Sequence, residues 1–368
     1  MDKIYSNALI CQGGKIIEGS LAVKGGFVAD IIPAGGALPE GEIKDVKGNY
    51  IMPVFIDTHI HGFGGYGTDC LDGRELLKMS ELLAKNGVGG FAPTIYPNEP
   101  KAMIKNIEAM AEYIGLEKGA KIMGLHIEGP FISPKKLGVM KPEAAAKPNL
   151  DLMKAVYEAA RGKICAMTLA PELDGIEKII DFCLERDIIP QVGHTDASYK
   201  EVLASGKLSH ATHLFNAMRG IGRRDPGAAG AALLEGNFSF EIIADGVHVC
   251  PEIVKMALSL KDKSKVILVT DALRPAGTQG GLANNEEVSL EGGVFRRVSD
   301  GVVAGSALTM LKGAANLSKW GMGFGGAAMA AAENPARLHK LDFGILQSGK
   351  RAYFNIIDRD FNLLETVM

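Results

Sequence analysis

The sequence predicts an α/β protein whose main part is a (β/α)8 barrel, and three observations lead to this fold class. Eight short aliphatic runs alternate with helical patterns between residues 51 and 270, and six of these runs end at or just before a histidine or an acid. Parallel strands buried on both faces have this composition, and barrels carry their chemistry at the C-terminal ends of the strands. The length of 368 residues leaves room for a barrel of roughly 250 residues and a smaller domain. An open doubly wound sheet is the competing architecture, but it would not gather groups from so many strands at one centre.

The two ends of the chain are predicted to form a separate domain. Residues 1–50 alternate short β-branched runs with paired glycines, which favour the tight turns of hairpins. The tail has the same pattern, and neither end has enough strand for a core of its own. We therefore expect a small discontinuous β-sandwich domain from residues 1–50 and 343–368, with the barrel formed by residues 51–342.

The predicted barrel strands are aliphatic segments bounded by glycine, proline or polar residues. They are residues 51–57, 88–95, 121–127, 164–170, 188–193, 208–213, 239–244 and 265–270. The segments between them repeat apolar residues at helical spacing. The predicted helices are residues 74–86, 101–114, 150–161, 176–186, 199–204 and 251–260. Strand alternating with helix indicates parallel βα units, and eight such units indicate closure into a barrel.

Composition limits the classes of function. The net charge is −3 without a long basic run, so nucleic-acid binding has no electrostatic basis. No apolar stretch is long enough for a membrane span, and the first residues lack the features of a signal peptide. The five cysteines never form a CxxC motif, which suits reduced thiols. We expect a cytoplasmic protein that binds neither nucleic acid nor a membrane.

Five residues at the strand ends are candidate metal ligands. His59 and His61 are two residues apart after the first run, so both imidazoles point to one side. Glu128 follows the third run, and His194 and His213 follow the fifth and sixth. Imidazole and carboxylate groups that converge on one point suit a divalent metal such as zinc or iron. Taken singly, the H-x-H pair could lie in a loop and the glutamate could cap a helix.

Three further residues are candidates for proton transfer and substrate binding. Asp271 follows the last strand. An aspartate beside a metal-activated water can accept its proton and later pass it to a leaving group. Asp245 and His248 follow the seventh strand and are candidates for binding a substrate or polarising a carbonyl.

A candidate anion site follows the sixth strand. Asn216 and Ala217 precede a loop, residues 219–227, that contains three arginines and several glycines. Guanidinium groups match phosphate oxygens in bidentate fashion, and glycine lets backbone N–H groups approach an anion. A solvated loop is the alternative.

The other three histidines are predicted to have structural roles. His126 and His210 lie in the bodies of strands, where packing or support of neighbouring groups is expected. His339 lies outside every strand end and is predicted to be at the surface.

Taken in order, these segments resemble the N-acetylglucosamine-6-phosphate deacetylase branch of the amidohydrolase superfamily. The matching motifs include HIEGPFI, GHTD, THLFNAM and ADGVH, and they cover almost the whole chain in order. They lie at residues 52–62, 126–132, 193–196, 212–218, 243–248, 269–272, 304–310 and 334–337. The combination is specific, although each motif alone is short.

The resemblance implies a metal-dependent hydrolase with one or two divalent ions per subunit, zinc, iron or a similar metal. Glu128, His194 and His213 would hold the main ion. His59 and His61 would hold a second ion, bridged by Glu128. Most other amidohydrolases bridge their metals with a carboxylated lysine, so the glutamate argues against a dihydroorotase-like or hydantoinase-like enzyme.

The resemblance also implies a reaction and roles for the remaining candidates. The reaction is the conversion of N-acetylglucosamine 6-phosphate to glucosamine 6-phosphate and acetate, in amino-sugar metabolism. Asp271 would be the general base and then the acid, and His248 would contact the acetamide or the sugar hydroxyls. Asn216 and Ala217 would contact the phosphate, and Arg224 would reach it, in the family often from the neighbouring subunit of a homodimer.

Met140 departs from the family pattern. Relatives usually carry a histidine or glutamine there, two residues after a glycine, and its polar side chain contacts the sugar. A thioether cannot replace those hydrogen bonds. Another N-acetylhexosamine 6-phosphate, for example the galactosamine epimer, and a different amidohydrolase activity therefore stay open. A non-catalytic sugar-phosphate-binding protein is the alternative from another class, and the intact Asp271 opposes it.

Overall fold

A central sheet of eight parallel strands confirms the predicted barrel. The computed structural model describes all 368 residues. Neighbouring strands in the sheet follow the order of the chain, and each pair is parallel. The strands are Phe55–Ile60, Val88–Ile95, Lys121–Ile122 continuing in Leu125–Glu128, Ile164–Leu169, Ile189–Val192, His210–Ala211, Ser239–Ile243 and Val266–Val269. Their C-terminal ends therefore meet on one face.

Side-chain and loop hydrogen bonds, rather than a ladder, join the last strand to the first. The backbone N–H of Asp271 donates to the carbonyl of His59 over 2.8 Å. The carboxylate of Asp57 accepts from the backbone N–H of Thr270 over 3.2 Å and from its hydroxyl over 2.5 Å. Asp57 is fully buried, and burial raises its pKa to about 7 despite these hydrogen bonds. The ring of strands thus closes beside the functional histidines.

Ten α-helices surround or extend the barrel. They are Arg74–Lys85, Pro100–Ala111, Leu150–Ala159, Glu177–Leu184, Tyr199–Ala204, Gly227–Leu234, Pro251–Leu260, Met310–Leu317, Gly323–Ala328 and Asn334–Leu338. Local signals start several of them: Ser198 and Glu201 form a capping box, for example. The helix Gly227–Leu234 is not predicted from the sequence, because seven of its eight residues are buried and it lacks a polar face. No helix is long and apolar enough to cross a membrane.

The two ends of the chain form one seven-stranded sheet. The tail strand Phe354–Ile357 pairs antiparallel with Tyr50–Pro53, which pairs with the first strand of the chain. The predicted strand 51–57 is therefore wrong as one unit, since residues 51–53 belong to this sheet and the barrel begins at Phe55. The strands are Lys3–Gln12, Lys15–Lys24, Phe27–Pro33, Glu42–Asp45, Tyr50–Pro53, Phe354–Ile357 and Leu363–Val367. The domain boundaries at residues 50 and 343 stay a prediction.

A four-stranded antiparallel sheet between residues 280 and 306 is not predicted from the sequence. Its strands are Gly280–Ala283, Glu286–Glu291, Val294–Arg297 and Val303–Ser306. They are short and mostly half-buried or exposed, so they lack the clean apolar alternation of a buried strand. Two asparagines with positive φ, Asn284 and Asn285, make the first turn. The sheet follows the last barrel strand, and its final strand reaches the candidate site.

Candidate active site

Three predicted ligands meet in one buried cluster at the C-terminal face of the barrel. The Oε1 atom of Glu128 lies 3.2 Å from the Nε2 atom of His194 and 3.2 Å from that of His213. The two Nε2 atoms are also 3.2 Å apart. At most 5% of each of these residues is exposed. One carboxylate oxygen and two imidazole nitrogens at mutual contact distance form a ready ligand set for a divalent ion.

A second cluster adjoins the first and shares Glu128. The Nε2 atom of His59 lies 3.4 Å from Oε1 of Glu128, and that of His61 lies 3.5 Å from Oε2. Both nitrogens also approach Oδ1 of Asp271, at 3.4 and 3.3 Å. The structure thus brings together all five predicted ligands and the predicted acid–base group.

Backbone carbonyls fix the orientation of two of the imidazole rings. Nδ1 of His61 lies 3.1 Å from the carbonyl oxygen of Thr94, and Nδ1 of His194 lies 2.9 Å from that of Lys136. A carbonyl oxygen only accepts hydrogen bonds, so each Nδ1 carries the proton. The lone pair of each Nε2 atom therefore faces the cluster, as a metal ligand requires.

Glu241 fixes the third ring, and sequence reasoning did not single it out. Its Oε2 atom lies 3.3 Å from Nδ1 of His59, and its Oε1 atom accepts from the Thr58 hydroxyl over 3.0 Å. Burial alone would raise the pKa of Glu241, but the hydrogen bonds with His210 and His59 outweigh burial and hold the pKa well below its usual range. A charged residue inside an apolar strand, Ser239–Ile243, is the sequence signal that could have identified it.

The cluster has the unmet polar groups that a metal ion would satisfy. Nε2 of His59 and Oε2 of Glu128 are buried without a hydrogen-bond partner. Burial acts to lower the pKa of His59, yet Asp271 and Glu128 outweigh it and raise that pKa to about 10. The carboxylates thus create a site that attracts positive charge. The donor set and its electrostatics fit a divalent cation.

Three site residues have left-handed backbone conformations where the chain leaves a strand. The φ angles are 45° at His194, 26° at His213 and 49° at Asp271. Non-glycine residues adopt this region at some cost, and such strain concentrates at functional sites. The conformation turns these side chains back over the end of the barrel, towards the cluster.

A cavity of about 340 Å³ opens above the cluster. Of the predicted substrate-binding residues, Met140, Asn216, Ala217 and His248 line it, whereas Asp245 and Arg224 do not. Neither lysine nor arginine lines it. The lining residues are His61, Tyr96, Glu128, Gly138, Val139, Met140, His194, His213, Asn216, Ala217, Val247, His248, Asp271, Leu273, Val303, Ala304 and Gly305. The volume suits a small molecule, and its polar groups converge on the metal-ligand cluster.

His248 is held by Asp245 on the wall of this cavity. Nδ1 of His248 lies 2.6 Å from Oδ2 of Asp245, and Oδ1 of Asp245 accepts from the backbone N–H of His248 over 2.9 Å. Burial acts to lower the pKa of His248, but the hydrogen bond with Asp245 outweighs burial and raises the pKa above its ordinary value. Nδ1 is therefore held by Asp245, and Nε2 is left to face a ligand in the cavity.

The arginine-bearing loop lies outside the cavity. Arg224 is exposed and forms no ion pair within the chain. Arg219 instead pairs with Asp196 over 2.9 Å and with Asp225 over 3.1 Å. Of the predicted anion site, Arg219 is therefore a structural brace, and only Asn216 and Ala217 border the cavity.

The three remaining histidines belong to neither set of proposed ligands, although the ring of His126 packs on that of His59 with centroids 4.6 Å apart. Nε2 of His126 lies 2.8 Å from the hydroxyl of Thr168, and burial lowers the pKa of this histidine to about 3. Nδ1 of His210 lies 2.7 Å from the hydroxyl of Ser239. His339, predicted at the surface, is half-buried beside a surface cavity: its Nε2 atom is enclosed without a partner, and burial lowers its pKa to about 4. Segments that are distant in the sequence pack around His339, so no local motif predicts this burial.

Comparison with known proteins gives the family. The model of the amidohydrolase family matches residues 50–368. The chain belongs to the amidohydrolase family. This is the family in which the sequence motifs placed it, and the barrel with its histidine and glutamate cluster agrees with that assignment.

Named relatives of this amidohydrolase are similar over nearly their whole length. N-acetylglucosamine-6-phosphate deacetylase of Bacillus subtilis is 32% identical, over 98% of this chain and 94% of the relative. N-acetylgalactosamine-6-phosphate deacetylase of Escherichia coli O157:H7 is 29% identical, over 96% and 94%. A solved structure from Mycobacterium smegmatis, a mutant N-acetyl-D-glucosamine-6-phosphate deacetylase in complex with N-acetyl-D-glucosamine-6-phosphate, superposes with a TM-score of 0.91. It is 26% identical and covers 99% of this chain and 97% of its own.

Tyr96 is a second residue of the amidohydrolase site that sequence reasoning missed. It directly follows the barrel strand Val88–Ile95, and its ring stacks on His61 with centroids 3.7 Å apart and planes 12° apart. Burial and the nearby Asp69 carboxylate raise the pKa of Tyr96 well above its usual value. Its position at a strand end, the same position that identified the ligands, was the available signal.

Proposed function

We propose that this protein hydrolyses the acetamide of N-acetylglucosamine 6-phosphate to glucosamine 6-phosphate and acetate. The observation that carries the proposal is the cluster of Glu128, His194 and His213, with Asp271 beside it, beneath a cavity of about 340 Å³. The similarity to N-acetylglucosamine-6-phosphate deacetylases over nearly the full chain supports the substrate. The reaction belongs to amino-sugar metabolism, and we place the enzyme in the cytoplasm.

Glu128, His194 and His213 are the proposed ligands of a main divalent ion, zinc, iron or a similar metal. His59 and His61, together with Glu128, would hold a second ion. When bound, such an ion polarises the amide carbonyl and makes a water molecule acidic near neutral pH. The hydrogen bonds at each Nδ1 atom hold three of these rings ready for binding.

Asp271 is the proposed general base and acid. Its pKa is about 2: burial acts to raise it, but the neighbouring His59 and His61 lower it. A carboxylate ionised at neutral pH can take a proton from the attacking water and then pass that proton to the leaving nitrogen. His248, held by Asp245, is the proposed contact of the acetyl oxygen, where negative charge develops; in its protonated form it donates a hydrogen bond from Nε2.

The phosphate requires a cation that the cavity itself lacks. Asn216 and Ala217 border the cavity, but no lysine or arginine does. Arg224 is exposed on the neighbouring loop and unpaired. We propose that, in a homodimer, it binds the phosphate group of the substrate held in the partner subunit's active site. A guanidinium is suited to this task because it binds phosphate oxygens in a bidentate manner.

A second substrate, N-acetylgalactosamine 6-phosphate, is favoured by one observation. Met140 lines the cavity and offers no strong hydrogen bond to a sugar hydroxyl. A relative that acts on this epimer, according to its name, is 29% identical. Comparison of kcat/KM for the two epimers distinguishes the candidates.

The test is release of acetate from N-acetylglucosamine 6-phosphate by protein stripped with a chelator, with and without added Zn, Fe(II) or Co. We expect turnover only after a metal is restored. Turnover without any metal would contradict the ligand proposal. No turnover of either epimer with any of these metals would contradict the deacetylase proposal.

A further inference from the structure

Tyr96 borders three adjoining cavities at the C-terminal face of the barrel. One is the site cavity, and the other two have volumes of about 140 and 360 Å³. One face of its ring lies on His61, so the ring cannot swing away without breaking this stack. Tyr96 is therefore a fixed wall between the metal-ligand cluster and the space beside it.

The hydroxyl of Tyr96 is free to bind a ligand. It forms no hydrogen bond within the protein, and it is not among the buried polar atoms that lack a partner, so it is accessible from the space around Tyr96. Tyr96 is also the one hydroxyl-bearing side chain that lines the site cavity. The amide nitrogen of Asn216, by contrast, already donates to the carbonyls of His213 and Leu214.

Apart from Tyr96, the residues that the site cavity shares with the 140 Å³ cavity are apolar. Met140 and Val139 line both the site cavity and the 140 Å³ cavity, and so do Leu273 and Ala304. A sugar ring placed against this wall would bury hydroxyl groups, and a buried hydroxyl without a partner is costly. Among these shared residues only Tyr96 carries a hydroxyl that can satisfy one of them, and its ring gives the sugar a flat apolar surface.

We propose that Tyr96 is a specificity-determining residue whose hydroxyl hydrogen-bonds a ring hydroxyl of the bound hexosamine phosphate, on the side where Met140 provides no such partner. This inference rests on the proposed deacetylase function. Tyr96 then determines which sugar hydroxyl the enzyme requires, in addition to supporting the ring of His61.

The test is Tyr96→Phe, which keeps the ring on His61 and removes only the hydroxyl. The substrates are N-acetylglucosamine 6-phosphate and its 3-deoxy and 4-deoxy analogues. We expect the variant to retain its bound metal and to lose about three- to tenfold in kcat/KM on the parent substrate. On one of the two deoxy analogues the variant and the wild type should be equal, because the hydrogen bond is already absent.

Tyr157→Phe is the matched control, since Tyr157 lies on the helix Leu150–Ala159 away from the cavity. Unchanged kcat/KM of Tyr96→Phe on the parent substrate would overturn the inference. So would an equal loss on the parent and both analogues, which would indicate only a structural role. A wild-type enzyme that releases no acetate from the parent would instead overturn the proposed function, and the inference with it.

Discussion

Glu241 should control the binding of the second metal ion through His59. Four groups approach its carboxylate: the Thr58 hydroxyl and the His210 ring on the Oε1 side, and Nδ1 of His59 and the backbone N–H of His213 on the Oε2 side. In Glu241→Gln the Thr58 hydroxyl can reverse its role and accept from the new amide while Nδ1 of His59 keeps an oxygen acceptor, so mainly the charge is lost. In Glu241→Met all four groups lose this partner.

The expected magnitudes follow from these contacts. A hydrogen bond to a charged group contributes about 1.5–3 kcal/mol, and loss of a residue that orients a metal ligand costs about 10–100-fold in metal affinity. We therefore expect Glu241→Gln to weaken the second ion about tenfold and Glu241→Met about 100-fold. The ion held by Glu128, His194 and His213 should lose much less affinity, because among these residues Glu241 contacts only the backbone N–H of His213 and none of the ligand atoms.

The assay is the number of metal ions bound per chain, measured by elemental analysis after dialysis at graded concentrations of free zinc. The wild type should bind two ions, and each variant should lose only the weaker one. Glu333→Gln is the control, because Glu333 is also fully buried and hydrogen-bonded but lies away from the cluster. The reasoning would be refuted if both Glu241 variants bound two ions with wild-type affinity, or if the affinity for both ions fell equally.

Three further predictions concern proton transfer, assembly and acid stability. Asp271→Asn should lower kcat by about 10²–10⁴-fold while the bound metal is retained; near-wild-type turnover would contradict its role. Arg224→Met and Asp271→Asn should each be nearly inactive, but subunits of the two variants mixed and reassembled should regain about a quarter of the wild-type activity if Arg224 serves the partner's site. The pKa of His339 is about 4 in the folded protein against an ordinary 6.5, so the unfolded chain binds more protons between these values and stability falls as the pH drops through them. Between pH 7 and pH 5 the free energy of unfolding, measured with urea, should fall by up to about 2 kcal/mol less in His339→Leu than in the wild type. The same fall in both proteins would contradict the low pKa of His339.

The sequence alone determined the barrel and the identity of the clustered histidines and acids. His194, His213 and Asp271 each follow a short buried strand, and parallel strands must bring such ends to one face. Polar residues at so many strand ends have no use in a packed core, so the pattern indicates a site before any contact is known. The family motifs then added roles that spacing alone left open.

Only the tertiary structure decided which groups support and complete the site. Glu241 and Tyr96 look like ordinary strand and loop residues until the register of neighbouring strands places them on His59 and His61. The sequence likewise does not predict that Arg219 forms ion pairs within the chain, or that no lysine or arginine lines the cavity. The physical reason is that strand periodicity fixes which way a side chain points, whereas its partner comes from a distant segment whose approach depends on how the whole barrel closes.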